Sequence, residues 1–337
     1  MLVYVVRRLV SAVVLLLVVT AATFAIFFLV PRLAGATPES LASRYVGRTA
    51  DEATMRAIAT KLGFFDPVYV QYGRFLRQLV FGADFSTGPT TVYCPAPCLG
   101  YSFLTQNPVL PDIIDRLPVT MSLAAGAAVL WLTSGVAVGV LSALRRGSVF
   151  DRAAMSVALA GVSLPIFFTG LLSLSIFSYG LGITAPGGSY TRIEDNPLLW
   201  AYDLLLPWIT LAFLYSAAYA RLTRAGMLDT MGEDFIRTAR AKGLPERTVV
   251  VKHGLRAALT PILTLFGLDL GLLLGGAILT ESTFSLPGIG KYSVDAVVNN
   301  DLPKVLGVVI VGSLFIIVAN LVVDLLYAVM DPRVRTR

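Results

Sequence analysis

The stretch "EDFIRTARAKGLPERTVVVKHGLRAAL", Glu233 to Leu259, holds six basic side chains, three acidic ones and the only histidine of the chain. The sequence before and after it is overwhelmingly apolar. Of the 337 residues, 56% are hydrophobic and 14% are charged, where soluble domains carry about 25% charge. Such a chain has too little polar surface to cover itself in water, so a bilayer is its natural solvent. Six mostly apolar runs of about 20 residues or more lie at 9–30, 119–144, 153–181, 204–223, 257–280 and 305–330. In lipid each backbone polar group must be paired within its own segment, so runs of this length predict helices rather than barrel strands. The first run, 22 residues, reaches roughly 33 Å at about 1.5 Å per residue, enough to cross the hydrocarbon core. A cleaved signal peptide is the rival reading, with Arg7 and Arg8 ahead of the run, but its apolar stretch is only about 7–15 residues long.

Basic residues set the expected orientation. Arg7 and Arg8, then Arg145, Arg146 and Arg152, then Arg221, Arg224 and the segment quoted above, and finally Arg333, Arg335 and Arg337 all fall on one side if six helices alternate. That side is expected to be the cytoplasm, with both termini in it. The opposite side is nearly balanced, with acids such as Asp195, Asp203, Asp295 and Asp301. The net charge of +6 therefore reflects topology, and no nucleic-acid partner is needed to explain it.

Two regions are expected: 1–118, a first membrane helix with an extracytoplasmic cap, and 119–337, a five-helix core with a cytoplasmic loop at 225–256. In the outer segment 31–118, Asp51–Leu62 reads as a short helix stopped by Gly63. A second opens at Pro67, with Tyr72, Leu76 and Leu79 on one stripe. It suits a helix on the outer membrane face or on neighbouring spans, or one packed inside a small cap. The only cysteines, Cys94 and Cys98, sit in "CPAPC". Outside the cytoplasm a structural disulfide is the expectation; free thiols and a redox or metal role are the alternatives.

Within the charged segment, Thr230 with Glu233 fits a capping box. Phe235, Ile236 and Ala239 supply an apolar patch, and Arg237, Arg240 and Lys242 a basic face. Gly243 suits a left-handed cap, and Pro245 opens a second helix that runs into the fifth span. The expectation is a short helix across the cytoplasmic face, joined by a tight turn to a membrane helix, a lever for a soluble partner. The plainer reading is an ordinary loop whose cations only enforce topology.

"DFIRTARAKGLPERTVVVKHGLRAALTPILT" resembles the cytoplasmic loop of the peptide-class permeases of ABC importers. Of the general permease pattern, Ala239, Gly243 and Leu255 match; "RTARAKG" fits the variant of the peptide branch. "ESTFSLPGIGKYSVDAV", "NLVVDLLYAVMDPRVR", "YVVRRLV" and "LGFFDPVYVQYGRFL" extend the resemblance over nearly the whole chain. It departs at "VPRLAGATP" and at an apparent insertion, "STGPTTVYCPAPCLGYSFLTQ". The resemblance implies an all-α, six-helix type I importer permease with an extracytoplasmic insertion after the first helix. It implies a second, similar permease, two ATPase subunits that hold ATP and Mg, and an extracytoplasmic binding protein as partners. This chain then binds no cofactor or metal of its own and has no catalytic residue. Glu233, Asp234, Phe235, Arg237, Thr238, Ala239, Arg240, Lys242 and Gly243 become the ATPase-coupling helix. The implied cargo is di- or oligopeptides, with nickel, haem or another small solute as the alternative within the same machinery.

Asp269, in the middle of the fifth span, is expected to face the translocation path or a subunit interface, since a lone acid in a bilayer is costly. Gly271 and Gly275 are path or interface candidates beside it; with Gly267 and Gly276 they also suit close helix packing. Asn320, Asp324 and Tyr327 share one face of the sixth span, where packing is expected. "PGIGK", 287–291, lacks the spacing and the hydroxyl residue of a phosphate loop. His253 sits alone between Lys252 and Arg256 and is expected at the surface. An ion-coupled secondary transporter is the remaining transport class, and an intramembrane enzyme lacks a catalytic set.

Overall fold

The computed structural model describes residues 2–46, 52–86, 91–274 and 277–330. α1 (Leu2–Phe24) passes through a π-helical turn, Ala25–Leu29, into α2 (Val30–Leu33). α3 (Pro38–Val46), α4 (Glu52–Lys61) and α5 (Val68–Phe81) follow. Next come two antiparallel strand pairs, β1 (Ala83–Ser86) with β2 (Thr91–Cys94), and β3 (Tyr101–Ser102) with β4 (Asn107–Pro108). Then run α6 (Val109–Leu144), α7 (Val149–Ser163), α8 (Ile166–Ser173) with its π-helical extension Leu174–Gly180, and α9 (Pro197–Met231). α10 (Asp234–Ala241) and α11 (Glu246–Thr248) lead through a π-helical stretch, Val249–Leu255, into α12 (Arg256–Leu274). α13 (Ile278–Thr283), α14 (Ile289–Val298) and α15 (Leu302–Met330) complete the order.

Among the described residues, five helical stretches are long and apolar enough to cross a membrane: Val10–Leu33, Val109–Leu144, Pro197–Met231, Glu246–Leu273 and Leu302–Leu321. The third expected span, 153–181, is not one straight rod. α7 and α8 meet at a bend of 104°, and the pair counts as a sixth span only if taken together. Pro165 explains the break. A proline disfavours the helical region for the residue before it, and Leu164 is extended, at φ −90° and ψ 131°. The fifth expected span, 257–280, is interrupted as well: Ala277, at φ −76° and ψ 60°, is not helical, and a new helix starts at Ile278.

The chain divides into two compact units, Met1–Pro118 with Gly288–Val318, and Val119–Pro287 with Ala319–Arg337. The core of the first is aromatic. Phe24 stacks on Phe28 at 4.5 Å between ring centroids and lies 6.0 Å from Phe75. Each buried phenylalanine contributes roughly 1.5–3 kcal/mol. Tyr72, Leu76 and Leu79 of α5 pack against this core, and the Tyr72 hydroxyl is 3.3 Å from Thr20 Oγ1 of α1. The α5 stripe is thus turned inward on its own unit. Gly63, just past α4, has φ +70°, as its role as a helix stop requires. Cys94 and Cys98 form a disulfide, both buried beside Phe85 and Tyr101. The strand pairs around it carry no strong alternation in sequence.

In the second unit Trp131, Leu204, Leu211 and Ile262 are fully buried in one core. α6 meets α9 through glycines. A Cβ on Gly126 would lie 2.1 Å from the Trp208 indole, and one on Gly139 would lie 2.6 Å from the Ala220 carbonyl oxygen. Small residues allow such approach between membrane helices. Trp208 Nε1 then donates to the Ser122 carbonyl at 2.9 Å.

Candidate functional site

The charged segment folds as a rigid elbow. α9 continues through Thr230 to Met231, so Thr230 is not a cap. Glu233 is the N-cap of α10 with φ −72° and ψ 151°, and no side chain caps it. The reason lies in the preceding helix, which extends into the residues expected to form a loop. Ile236 and Ala239 bury against Val249, with Met231 packed beside them. Burial of Ile236 alone contributes roughly 1.5–3 kcal/mol. Phe235 does not join this patch. It is 47% exposed, because it stands one residue, about 100°, around the helix from Ile236. Asp234, Phe235, Arg237, Thr238 and Lys242 therefore form the outward face, with Glu233 exposed at its start.

The stop after α10 is fully specified by backbone. Leu244 N–H donates to the Ala239 carbonyl and Gly243 N–H to the Arg240 carbonyl, the paired bonds of a Schellman cap. The cap needs a left-handed residue, and Gly243 has φ +73°. Pro245 then caps α11 at φ −61° and ψ 141°. Across the turn Arg240 donates to Glu246 through both Nε, at 3.1 Å, and Nη2, at 2.7 Å. These bonds hold the Arg240 proton more tightly than in an isolated guanidinium. From Glu246 the helix is continuous to Leu273, so α10 is joined to α12 through one short, braced turn. His253 is half-buried in that helix.

Along α12, Asp269 is half-buried and accepts a 2.8 Å hydrogen bond from the Tyr219 hydroxyl of α9. Gly271 is buried two residues on; Gly275 and Gly276 lie outside the described residues. So do the side chains of Asp324 and Tyr327, while Asn320 is half-buried. Two acids escaped sequence reasoning. Glu281 is completely buried and accepts from Thr120 Oγ1 at 2.7 Å; its signal was an acid one position past an apolar run. Asp151 is buried and gripped by Arg224 through Nε at 2.6 Å and Nη2 at 2.8 Å. Among the described residues no group of three His, Cys, Asp or Glu is arranged to hold a metal. Ile289 to Lys291 of the "PGIGK" stretch begin helix α14.

Long apolar helices, with an acid within one of them and a braced, charged elbow at the end of that same helix, define a polytopic membrane protein. The family described as binding-protein-dependent transport system inner membrane component matches residues 135–336, and the N-terminal region of such components matches residues 1–124. The chain belongs to this family. It is 37% identical to the di/tripeptide transport system permease protein DppB of Pseudomonas aeruginosa, over 94% of each chain. It is 36% identical to the dipeptide transport system permease protein DppB of Escherichia coli, over 82% of this chain and 84% of the other.

Proposed function

We propose that this chain is one transmembrane subunit of an ATP-driven importer of di- or oligopeptides. It pairs with a second, similar permease and receives cargo from an extracytoplasmic binding protein. Two separate ATPase subunits hold ATP and Mg and carry out the hydrolysis. The observation that carries the reading is the elbow: α10 is exposed on one face, stopped by Gly243, clamped by Arg240 to Glu246, and continuous with the helix that bears Asp269. In this reading the face made by Asp234, Phe235, Arg237, Thr238 and Lys242 seats in a groove of an ATPase subunit. Closure of the ATPase pair moves α10, and α12 follows as a rigid body, alternating access to a path lined in part by Asp269 and Gly271. The elbow and both termini then lie in the cytoplasm, and β1–β4 lie outside it. The relatives named above are peptide permeases, which supports peptides as cargo.

The test is reconstitution of the complete complex in liposomes. ATP hydrolysis is expected to rise when loaded binding protein is added, with peptide accumulating inside. A cysteine placed at Phe235 is expected to cross-link to an ATPase subunit. Uptake that persists with the ATPase subunits omitted would instead establish an ion-coupled transporter, and nickel or haem recovered on the binding protein would reassign the cargo.

A further inference from the structure

Asp269 is a carboxylate in the middle of an apolar helix whose described partner is a single neutral donor, the Tyr219 hydroxyl at 2.8 Å. Among the described residues no lysine, arginine or histidine forms an ion pair with it. A carboxylate in such a place is costly unless a cation or a proton meets it. Its surroundings favour a cation. Trp131 stacks on Tyr215 at 4.8 Å and lies 6.3 Å from Tyr219 and 5.9 Å from Phe266. Aromatic faces carry partial negative charge and attract ammonium groups.

The cluster is also next to open space. Tyr215 lines a groove of about 320 Å³, together with Leu211, Leu214, Leu272, Leu273 and Ala277. Leu272 and Leu273 follow Asp269 by three and four residues, so they lie on its side of α12, one turn along. An apolar groove that reaches Tyr215, with Asp269 one helical turn from its Leu272 and Leu273 lining, suits a small molecule that has an apolar body and a positively charged head.

We infer that Asp269, backed by Tyr215 and Trp131, receives the α-ammonium group of the passing peptide, while the peptide's side chains lie in the groove that α8, α9, α12 and α13 line. The inference rests on the peptide-importer reading and names the chemistry of one station on its path. It makes the permease itself selective for a free amino terminus, beyond whatever selection the binding protein exerts. Between cargo molecules the Tyr219 hydroxyl supplies the one hydrogen bond described for this carboxylate.

The experiment uses the complete complex in liposomes, with alanyl-alanine and N-formyl-alanyl-alanine as probes, each at concentrations that saturate the binding protein. Initial uptake per ATP hydrolysed is compared for wild type, Asp269→Asn, Asp269→Glu and Tyr219→Phe. Wild type is expected to favour the free amine by about tenfold or more, the scale of one charge-assisted hydrogen bond. Asp269→Asn is expected to bring the ratio to about one. Asp269→Glu and Tyr219→Phe, which keep a carboxylate, are expected to keep the preference. A preference that survives Asp269→Asn, that is lost in Tyr219→Phe, or that is missing in wild type overturns the inference. Failure of wild type to take up either peptide overturns the importer reading itself, which is a separate result.

Discussion

Arg240, in the last turn of α10, and Glu246, in the first turn of α11, share a two-point hydrogen bond across the turn that joins them. Both are well exposed, so their pairing adds little to global stability. Its effect is on angle: two parallel bonds to a planar guanidinium fix the direction of one helix against the other. Glu246→Gln is therefore expected to leave the melting temperature of the purified complex nearly unchanged and to lower the peptide moved per ATP hydrolysed. The reversed pair, Arg240→Glu with Glu246→Arg, is expected to recover part of the coupling. A transport-to-hydrolysis ratio equal to wild type in Glu246→Gln would remove the brace from the mechanism.

Gly243 is a case where conformation, not space, decides. A Cβ added there meets nothing within 4 Å, yet φ is +73°. Left-handed backbone costs a residue with a Cβ roughly 1–2 kcal/mol, and asparagine least among them. The N–H is also in use, donated to the Arg240 carbonyl at 2.9 Å. Transport coupling is expected to decline in the order Gly, Asn, Ala, with Gly243→Pro inactive because proline loses both the angle and the donor. Proteoliposome uptake for wild type and the three variants checks the ranking; activity of the proline variant equal to wild type would show that α10 needs no such stop.

Much of this architecture is legible in the sequence, and the omissions share a cause. Span positions follow from apolar runs, and the elbow from Gly243 and Pro245, because these signals are local. The bend at Pro165 was equally local, but a continuous apolar run hides it, since length and composition carry no direction. Phe235 was grouped with Ile236 and Ala239 by chemistry, although one residue of helix separates their faces by about 100°. Arg224 read as a topology signal because its partner, Asp151, lies 73 residues away. Buried Glu281 meets Thr120 across a separation of 161 residues. Pairings of that range are products of packing, to which no window along the chain has access.

The α6–α9 contact yields a stability prediction. Gly139 faces the backbone of α9, with the Ala220 carbonyl oxygen 2.6 Å from any added Cβ, and backbone cannot rotate out of the way. Gly147 has open space around it. Gly139→Leu is expected to destabilise by about 1–3 kcal/mol or more, seen as a lower melting temperature and poor assembly in detergent. If Gly139→Leu melts with wild type, the two helices are not held at this distance.

The disulfide is expected to be structural. Cys94 and Cys98 are almost completely inaccessible, at 1% and 0% exposure, with Cα atoms 5.6 Å apart. The loop it closes is short, so the chain-entropy contribution is about 2 kcal/mol. Alkylation of the native protein should find no free thiol, and two should appear after unfolding in reductant. The double Cys→Ser variant should loosen β1–β4 to protease while leaving the ATPase coupling of the complex intact.

The ion pair between Arg224 and Asp151 is lopsided, and this sets the order of its variants. The Asp151 side chain is 4% exposed and that of Arg224 26%. Removing the arginine strands a buried carboxylate, leaving it the Gly147 N–H at 2.9 Å. Removing the aspartate leaves a guanidinium that can turn towards solvent on its flexible stem. An unpaired buried charge is the costlier remainder. Arg224→Ala is therefore expected to lower the melting temperature more than Asp151→Ala, and Arg224→Ala with Asp151→Ala is expected to be milder than Arg224→Ala alone. Thermal denaturation of the three variants measures this directly. A double variant less stable than Arg224→Ala would mean that the Asp151 carboxylate acts chiefly at the start of α7, through the bond it accepts from the Gly147 N–H, and not as the partner of Arg224.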